Sequence, residues 1–297
     1  MARILTITAN PLLDFLSSQA LVPGKVTRCP ALSPMAAGKG INVARVLQRH
    51  GHQTCACFFA GSHTGAMLSE AVAADGIPTL AIPTRARLRI GLISAANENQ
   101  AQGSLLEDGF AVEEDEAQAL LDAVNGRIAD QDLVIISGSV PDPRLQQLYA
   151  KIAAECQNQQ VTCWIDSYGA VMDAALDSPH PPSLSKPNRE EYAMGSQWAN
   201  VEELHITDGG KGTTIRRPEA SYQLSPPPVQ EINPVGSGDC YLAGLAHARL
   251  SGWELSDQFR YAAACGAANA ARWDVAQIAP GPAIDVLLPQ VRISEAR

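Results

Sequence analysis

The feature that most constrains this chain is a repeated alternation of short apolar runs with longer segments of helical period. Residues 4–8, 54–60, 79–82, 133–136, 161–165 and 204–207 read as strands, and residues 40–50, 65–75, 113–129, 145–157, 243–250 and 258–272 read as helices. In the first helical segment Val43, Val46 and Leu47 share one face. Strand, crossover helix, strand is the pattern of a parallel sheet with helices on both faces, so the expected fold class is α/β, three layers (α/β/α) around a mostly parallel sheet. In such sheets ligands bind outside the carboxyl ends of the strands. The polar punctuation falls at those ends: Asn10 and Asp14, Ser137-Gly138-Ser139, Asp166, Lys186-Pro187-Asn188 and Thr207-Asp208-Gly209.

Two segments break the rhythm. Residues 11–35 lack a long helical pattern and contain Pro11, Pro23, Gly24, Pro30 and Pro34. Residues 85–110 read as two short strands around the polar turn Asn97-Glu98-Asn99-Gln100. Long structureless insertions are uncommon in compact domains, so both are expected to leave the main layer as strands and form a small β-lid rather than surface loops. An exposed lid sheet favours a homodimer by edge pairing.

The chain has 297 residues, enough to bury a substantial core without disulfides or metals, and residues 1–297 are read as a single domain with its lid. Hydrophobic residues make up 46% and charged residues 18%, as in an ordinary globular chain. The net charge of −9 argues against nucleic acid or an anionic membrane as partner, so an anionic substrate must be held by local cations. The seven cysteines are scattered, and Cys55 and Cys57 alternate along a strand, a poor arrangement for a metal pair. Buried thiols in a reducing cytoplasm are the expectation. The N-terminal apolar run is too short for a signal peptide, and no window holds the ~18 apolar residues of a membrane span.

The stretch Asn233-Pro234-Val235-Gly236-Ser237-Gly238-Asp239 runs directly into the apolar helix pattern that follows. The glycines allow a turn whose N–H groups converge on an anion, and the helix adds its positive end. Asp239 at the helix start then has the place of a base beside a bound phosphoryl group. The plainer alternative is a loop in which Ser237 or Asp239 caps the helix.

Five more motifs precede this one in order. They are Asn10-Pro11-Leu12-Leu13-Asp14, Ala37-Gly38-Lys39-Gly40-Ile41-Asn42-Val43-Ala44, Ser137-Gly138-Ser139-Val140-Pro141, Lys186-Pro187-Asn188-Arg189-Glu190-Glu191 and Thr207-Asp208-Gly209-Gly210-Lys211-Gly212. From about residue 4 to about residue 285 the series resembles the pfkB group of the ribokinase-like sugar kinases. The resemblance implies a ribokinase-like fold, ATP and Mg²⁺ as cofactors, and a sugar or sugar phosphate as the small-molecule substrate. It implies that Asp14 binds sugar hydroxyls, with Gly38, Asn42 and Ser139 also on the substrate side. Lys186, Asn188, Thr207, Gly209, Gly212 and Asn269 would serve the nucleotide, and Ala267, Ala268 and Asn269 would lie at the adenine wall. Glu191, with Asn188, would sit in the outer shell of Mg²⁺, and Asp166 could join that network. Asp239 would be the catalytic base, and the backbone of Gly236, Ser237 and Gly238 the anion hole.

Lys39 stands between glycines at a helix start, a setting suited to a phosphate already on the substrate, and Arg87 on the first lid strand is the expected second cation, with Arg85 and Arg89 as competitors. The Gly-Lys-Gly group resembles 1-phosphofructokinases and tagatose-6-phosphate kinases. The expected reaction is therefore phosphoryl transfer from ATP to a hydroxyl of a hexose phosphate: fructose 1-phosphate, fructose 6-phosphate or tagatose 6-phosphate. Three departures from the family pattern stand out. The connection after Glu191 is short, the returning lid strand reads Gly103-Ser104-Leu105-Leu106-Glu107 in place of a Thr-Glu pair and an Asn, and Arg89 stands where an Asn is usual. The alternatives are a kinase for an unphosphorylated sugar and a non-catalytic sugar-phosphate or nucleotide sensor on the same fold. A nicotinamide-dependent oxidoreductase would need a glycine-rich turn after the first strand, where this chain has Asn10-Pro11.

Overall fold

The structure is a computed structural model that describes residues 1–17, 19–21, 24–94, 103–195 and 197–296. In chain order, β1 (Arg3–Thr8) leads to β2 (Leu12–Ser17), β3 (Ser33–Ala37), α1 (Lys39–Arg49), β4 (Gln53–Phe59), α2 (Ser62–Ala74) and β5 (Thr79–Ile82). Then come β6 (Arg89–Ser94), β7 (Gly103–Leu106), α3 (Glu114–Ile128), β8 (Leu133–Ser137), α4 (Leu148–Asn158) and β9 (Cys163–Asp166). The remainder holds α5 (Ala170–Leu176), β10 (Leu184–Ser185), α6 (Arg189–Met194), β11 (Glu203–Thr207), β12 (Thr213–Arg216), β13 (Ser221–Ser225), α7 (Ser237–Leu250), α8 (Leu255–Ala270), α9 (Pro282–Asp285) and β14 (Arg292–Ala296).

The large sheet runs β14-β13-β12-β11-β10-β9-β8-β1-β4-β5. From β11 to β5 every neighbouring pair is parallel, whereas β12, β13 and β14 add an antiparallel edge. Because side chains alternate across a strand, the central strands feed two separate cores. Leu5, Ile7, Val134, Ile136 and Ile165 join the side chains of α3, α4 and α5. Ile4, Leu133, Ile135 and Trp164 join those of α1, α7 and α8. This is the three-layer arrangement expected from the alternation. The antiparallel edge was not: its strands are short and partly exposed, so they carry little apolar signal.

The two segments that break the rhythm supply a second sheet, ordered β3-β2-β6-β7. β2 pairs in parallel with β6, which sets Asp14 opposite Gly91. Pro23 and the turn at 97–100 lie outside the described residues. The short connection after Glu191 is closed by α6 and a 3-10 turn at Trp198–Asn200, where the Trp198 Nε1–H donates to Tyr192 O at 2.9 Å. It still delivers β11 in parallel beside β10, with Leu184 opposite Glu203.

Candidate active site

Two helices begin at the same cleft, and glycines put them there. Gly38 precedes α1 with φ +135°. A Cβ on Gly40 would lie 2.5 Å from Thr8 Oγ1 and 2.8 Å from Ile7 O, so α1 can press its start against the end of β1 only with glycine there. Gly236 precedes α7 in the left-handed region, φ +79°. Neither helix start has a side-chain cap, so backbone N–H groups are left for an anion. The capping alternative for Ser237 and Asp239 is therefore not what the structure shows. The Ser237 N–H, however, is engaged by Pro234 O at 3.1 Å, which narrows the expected anion hole to Gly236 and Gly238.

Asn269, expected on the nucleotide side, is not among the residues that line the cleft. It is fully buried; its Nδ2 donates to Val235 O at 2.8 Å and to Ser237 Oγ at 3.1 Å, and its Oδ1 accepts from the Ala276 N–H at 2.8 Å. It holds the Gly-Ser-Gly turn from behind. Gly212 also stands outside the cleft wall; with φ +112° it turns the chain into β12. Ala267 does line the cleft, while Ala268 is packed in the core.

The cleft, about 740 Å³, has a charged middle between two unlike ends. In the middle, Lys39 Nζ donates to Glu191 Oε1 at 2.8 Å and lies 3.8 Å from Asp166 Oδ1. Lys186 Nζ lies 3.4 Å from Asp166 Oδ2 and beside Gly238, 3.0 Å from the place of its absent Cβ. Asp239 is 6% exposed, and its Oδ2 accepts from Asn42 Nδ2 at 2.8 Å. Burial pushes the Asp239 carboxyl up to about 6, against the pull of Lys39 and the Asn42 hydrogen bond. Burial opposes the charge of Lys39, yet Asp166, Glu191 and Asp239 together hold its pKa above the usual lysine range.

At the small-sheet end stand Asp14, Arg89, Asn10 and Ser139. Asp14 is 3% exposed, and burial raises its carboxyl to about 6 despite the Phe15 N–H and Arg89. Arg89 donates through Nη2 to Asn10 O at 2.9 Å, and Asn10 Nδ2 donates to Ser139 Oγ at 3.0 Å. Arg87, the expected cation, is turned away: its Nη1 and Nη2 make a paired ion bridge to Glu107 at 2.7 and 2.8 Å, and it does not line the cleft. It precedes β6, whereas Arg89 is the first residue of that strand. The register of β2 against β6 would have been needed to tell the two arginines apart. Tyr168, which the sequence reading did not single out, walls the middle of the cleft with its ring centroid 5.5 Å from Lys39 Nζ.

At the other end, Asn188, Thr207 and Gly209 meet an apolar wall of Leu224, Pro226, Pro227, Val229, Ala263 and Ala267. Asn188 caps α6, accepting from the Glu191 N–H at 2.8 Å while Glu191 Oε2 accepts from the Asn188 N–H at 2.9 Å.

Comparison with protein-family models matches residues 12–279 to the pfkB family carbohydrate kinases. The chain belongs to the pfkB family. As such it is an ATP-dependent sugar kinase. Among solved structures this pfkB-family kinase is similar to a candidate 1-phosphofructokinase from Thermotoga maritima, with a TM-score of 0.89 at 18% identity over 99% of this chain and 100% of that one. It is similar to a candidate phosphofructokinase from Staphylococcus aureus, 0.79 at 26% identity over 99% of each chain. It is also similar to phosphofructokinase-2 from Escherichia coli in complex with substrates and products, 0.82 at 25% identity over 97% and 98%.

The donor set of this kinase suits a divalent cation carried by phosphates rather than a dedicated metal cage. Among the described residues no group of three or more His, Cys, Asp or Glu is placed to hold an ion. Yet Asp166 is 1% exposed with both oxygens free of hydrogen bonds, and Glu191 lies across Lys39 from it. Glu191 lines the cleft and Asp166 lies behind Lys39 and Lys186, a donor set that fits Mg²⁺ held through water rather than bound directly.

Proposed function

We propose that this kinase transfers the γ-phosphoryl group of ATP to a hydroxyl of a hexose phosphate, with fructose 1-phosphate, fructose 6-phosphate and tagatose 6-phosphate as the candidate acceptors. The observation that supports this most is one cleft that joins a buried carboxylate, Asp239, to an uncapped helix start on one side and to Asp14 with Arg89 on the other. Asp239 is the general base: it accepts the proton of the attacking hydroxyl. The Gly236 and Gly238 N–H groups and Lys186 face the transferring group. Lys39, bound among Glu191, Asp166 and Asp239, serves the transfer point rather than the substrate's own phosphate, and that phosphate falls to Arg89. Asp14, Asn10 and Ser139 hold the sugar. The apolar wall takes the adenine. Mg²⁺, held through water by Glu191 and Asp166, supplies neutralisation of phosphate charge.

The same reading treats the chain as one kinase domain whose small sheet is a lid. Among the described residues its outer strands β3 and β7 have no further strand beside them, and Leu105 on β7 is 72% exposed, which supports a homodimer through that sheet. A coupled ADP-release assay with Mg-ATP against the three hexose phosphates, free fructose and ribose tests the activity. Turnover on a phosphorylated hexose that is lost in Asp239→Asn is expected. Turnover restricted to free sugars overturns the role of Arg89, and ATP binding without transfer to any of them favours a sensor.

A further inference from the structure

Arg45 is 1% exposed, an unusual position for a guanidinium, and it is not among the residues that line the cleft. Its donors are used in three directions. Nε donates to Asp75 Oδ2 at 2.7 Å, Nη1 to Asn42 Oδ1 at 2.9 Å, and Nη2 to Ala36 O at 2.7 Å. Asn42 and Arg45 are one turn apart on α1, so their meeting is a property of the helix. Asn42 in turn donates through Nδ2 to Asp239 Oδ2 at 2.8 Å.

The chemistry of a donor-only group settles which way the Asn42 amide points. A guanidinium has no acceptor, so Asn42 must turn its oxygen toward Arg45 and its NH₂ toward Asp239. With Arg45 gone, the amide is free to flip. A flip sets Oδ1 of Asn42 against the carboxylate, acceptor against acceptor, which only a protonated Asp239 tolerates. The third contact carries the same effect into the small sheet. Ala36 is in β3, opposite Leu13 and next to the Asp14–Met35 pair. One guanidinium therefore ties the strand pair that carries Asp14 to the amide that holds Asp239.

We infer that Arg45 is a positioning residue for the base: it fixes the orientation of the Asn42 amide, keeps Asp239 in its proton-accepting form, and locks that arrangement to the substrate-binding strands. The inference rests on Asp239 being the base of the proposed reaction. The other charged groups on that carboxyl are Lys39 of α1, Asp166 of β9 and Lys186 after β10, and they remain in place in the variants below.

The experiment is a pH titration of the Asp239 carboxyl by ¹³C NMR in the full chain, wild type against Arg45→Met, Arg45→Lys and Asn42→Ser, beside the pH profile of kcat. Arg45→Met is expected to titrate about one pH unit higher than wild type, and to lose about twofold in kcat at pH 7 and roughly tenfold at pH 5, with KM for ATP little changed. Arg45→Lys keeps a donor against Asn42 and should titrate nearer to wild type. Asn42→Ser leaves Arg45 on Asp75 and Ala36, so it serves if Arg45→Met does not fold, and it must show the same upward movement. An unmoved midpoint in Arg45→Met, or in Asn42→Ser, overturns the inference even if kcat falls. The titration needs no substrate. A wild type that phosphorylates no sugar, but whose Asp239 midpoint still rises in these variants, sinks the proposed reaction and leaves the Arg45 relay standing.

Discussion

The two ends of the parallel sheet bury polar groups in opposite ways. At the carboxyl ends of the strands, among the described residues, Thr8 Oγ1, Asn10 Oδ1, Ser137 Oγ and both Asp166 oxygens have no hydrogen-bond partner. At the amino ends, His50, His52 and His247 form a closed set. His50 Nδ1–H donates to Val46 O at 2.7 Å, and its Nε2 accepts from the Tyr261 hydroxyl at 2.9 Å. His52 Nδ1 accepts from the Ala2 N–H at 3.2 Å, which leaves its Nε2–H to donate to His247 Nδ1 at 2.9 Å. A buried polar group without a partner costs about 1–3 kcal/mol, so a fold keeps several together only where something else supplies the bonds. At the histidine end these bonds are made within the chain; at the other end Thr8 and Asn10 line the cleft, and Asp166 has the ammonium groups of Lys39 and Lys186 beside it.

Titration draws the same line with opposite sign. Burial raises Asp14 and Asp239 to about 6, above the unfolded value of 3.8, so their contribution to the fold is whole below about pH 4 and is lost as pH rises through 6. Burial lowers His50 and His247 to about 4, below the unfolded value. Their contribution is whole above about pH 6.5 and is lost as pH falls toward 4.

The sharpest way to break this contrast is Asp239→Asn. It should remove roughly 10³-fold of the transfer rate while the chain stays folded, and the wild-type rate should fall as pH drops below about 6, where the base takes up its proton. A wild-type rate that is flat from pH 7.5 to 5 would deny Asp239 that role. Next in size is Arg89→Met. KM for a phosphorylated hexose should rise roughly 10- to 100-fold, with kcat/KM for free fructose unchanged; an equal loss on both would show that Arg89 only supports the strand.

A smaller effect reads stability rather than rate. Asp239→Asn should be more stable than wild type at pH 7.5, on the order of 1–2 kcal/mol by urea unfolding, and the gain should shrink as pH falls below about 6 and vanish only below about pH 4. A loss of stability at pH 7.5 would place Asp239 with the structural groups. The smallest effect belongs to the other end. Wild type should lose stability between pH 6.5 and 4.5 through the histidines, and His50→Gln should flatten that slope by on the order of 1 kcal/mol; identical slopes would mean that the histidine set does not sense pH.

Much of the main layer was legible because its signals are local. Ile4 and Leu5 fall to opposite cores, as a period of two requires, and the Leu133-Val134-Ile135-Ile136 run is covered on both faces. β12 and β13 were not legible, since four- and five-residue edge strands bury few side chains. At the site, the places of Asp239 and Lys39 at helix starts were readable from glycine context, whereas Asp14, read as strand-end punctuation, lies within β2 between Met35 and Gly91. Arg87 was expected at the cleft and Arg89 lines it instead, a difference that only the pairing of β2 with β6 and the Glu107 bridge reveal. Asn269 was placed toward the nucleotide, because helical position alone does not say which loop it supports.

What the sequence determined by itself was the layered sheet, the helix starts made possible by Gly38 and Gly236, and the presence of a carboxylate at the second of them. These follow from interactions within a few residues. The tertiary structure alone decided that Asn42 meets Asp239 across 197 residues of chain and that Lys39 meets Glu191 across 152. No local pattern encodes such meetings, since they depend on how the strands are ordered in the sheet and on which face each helix returns.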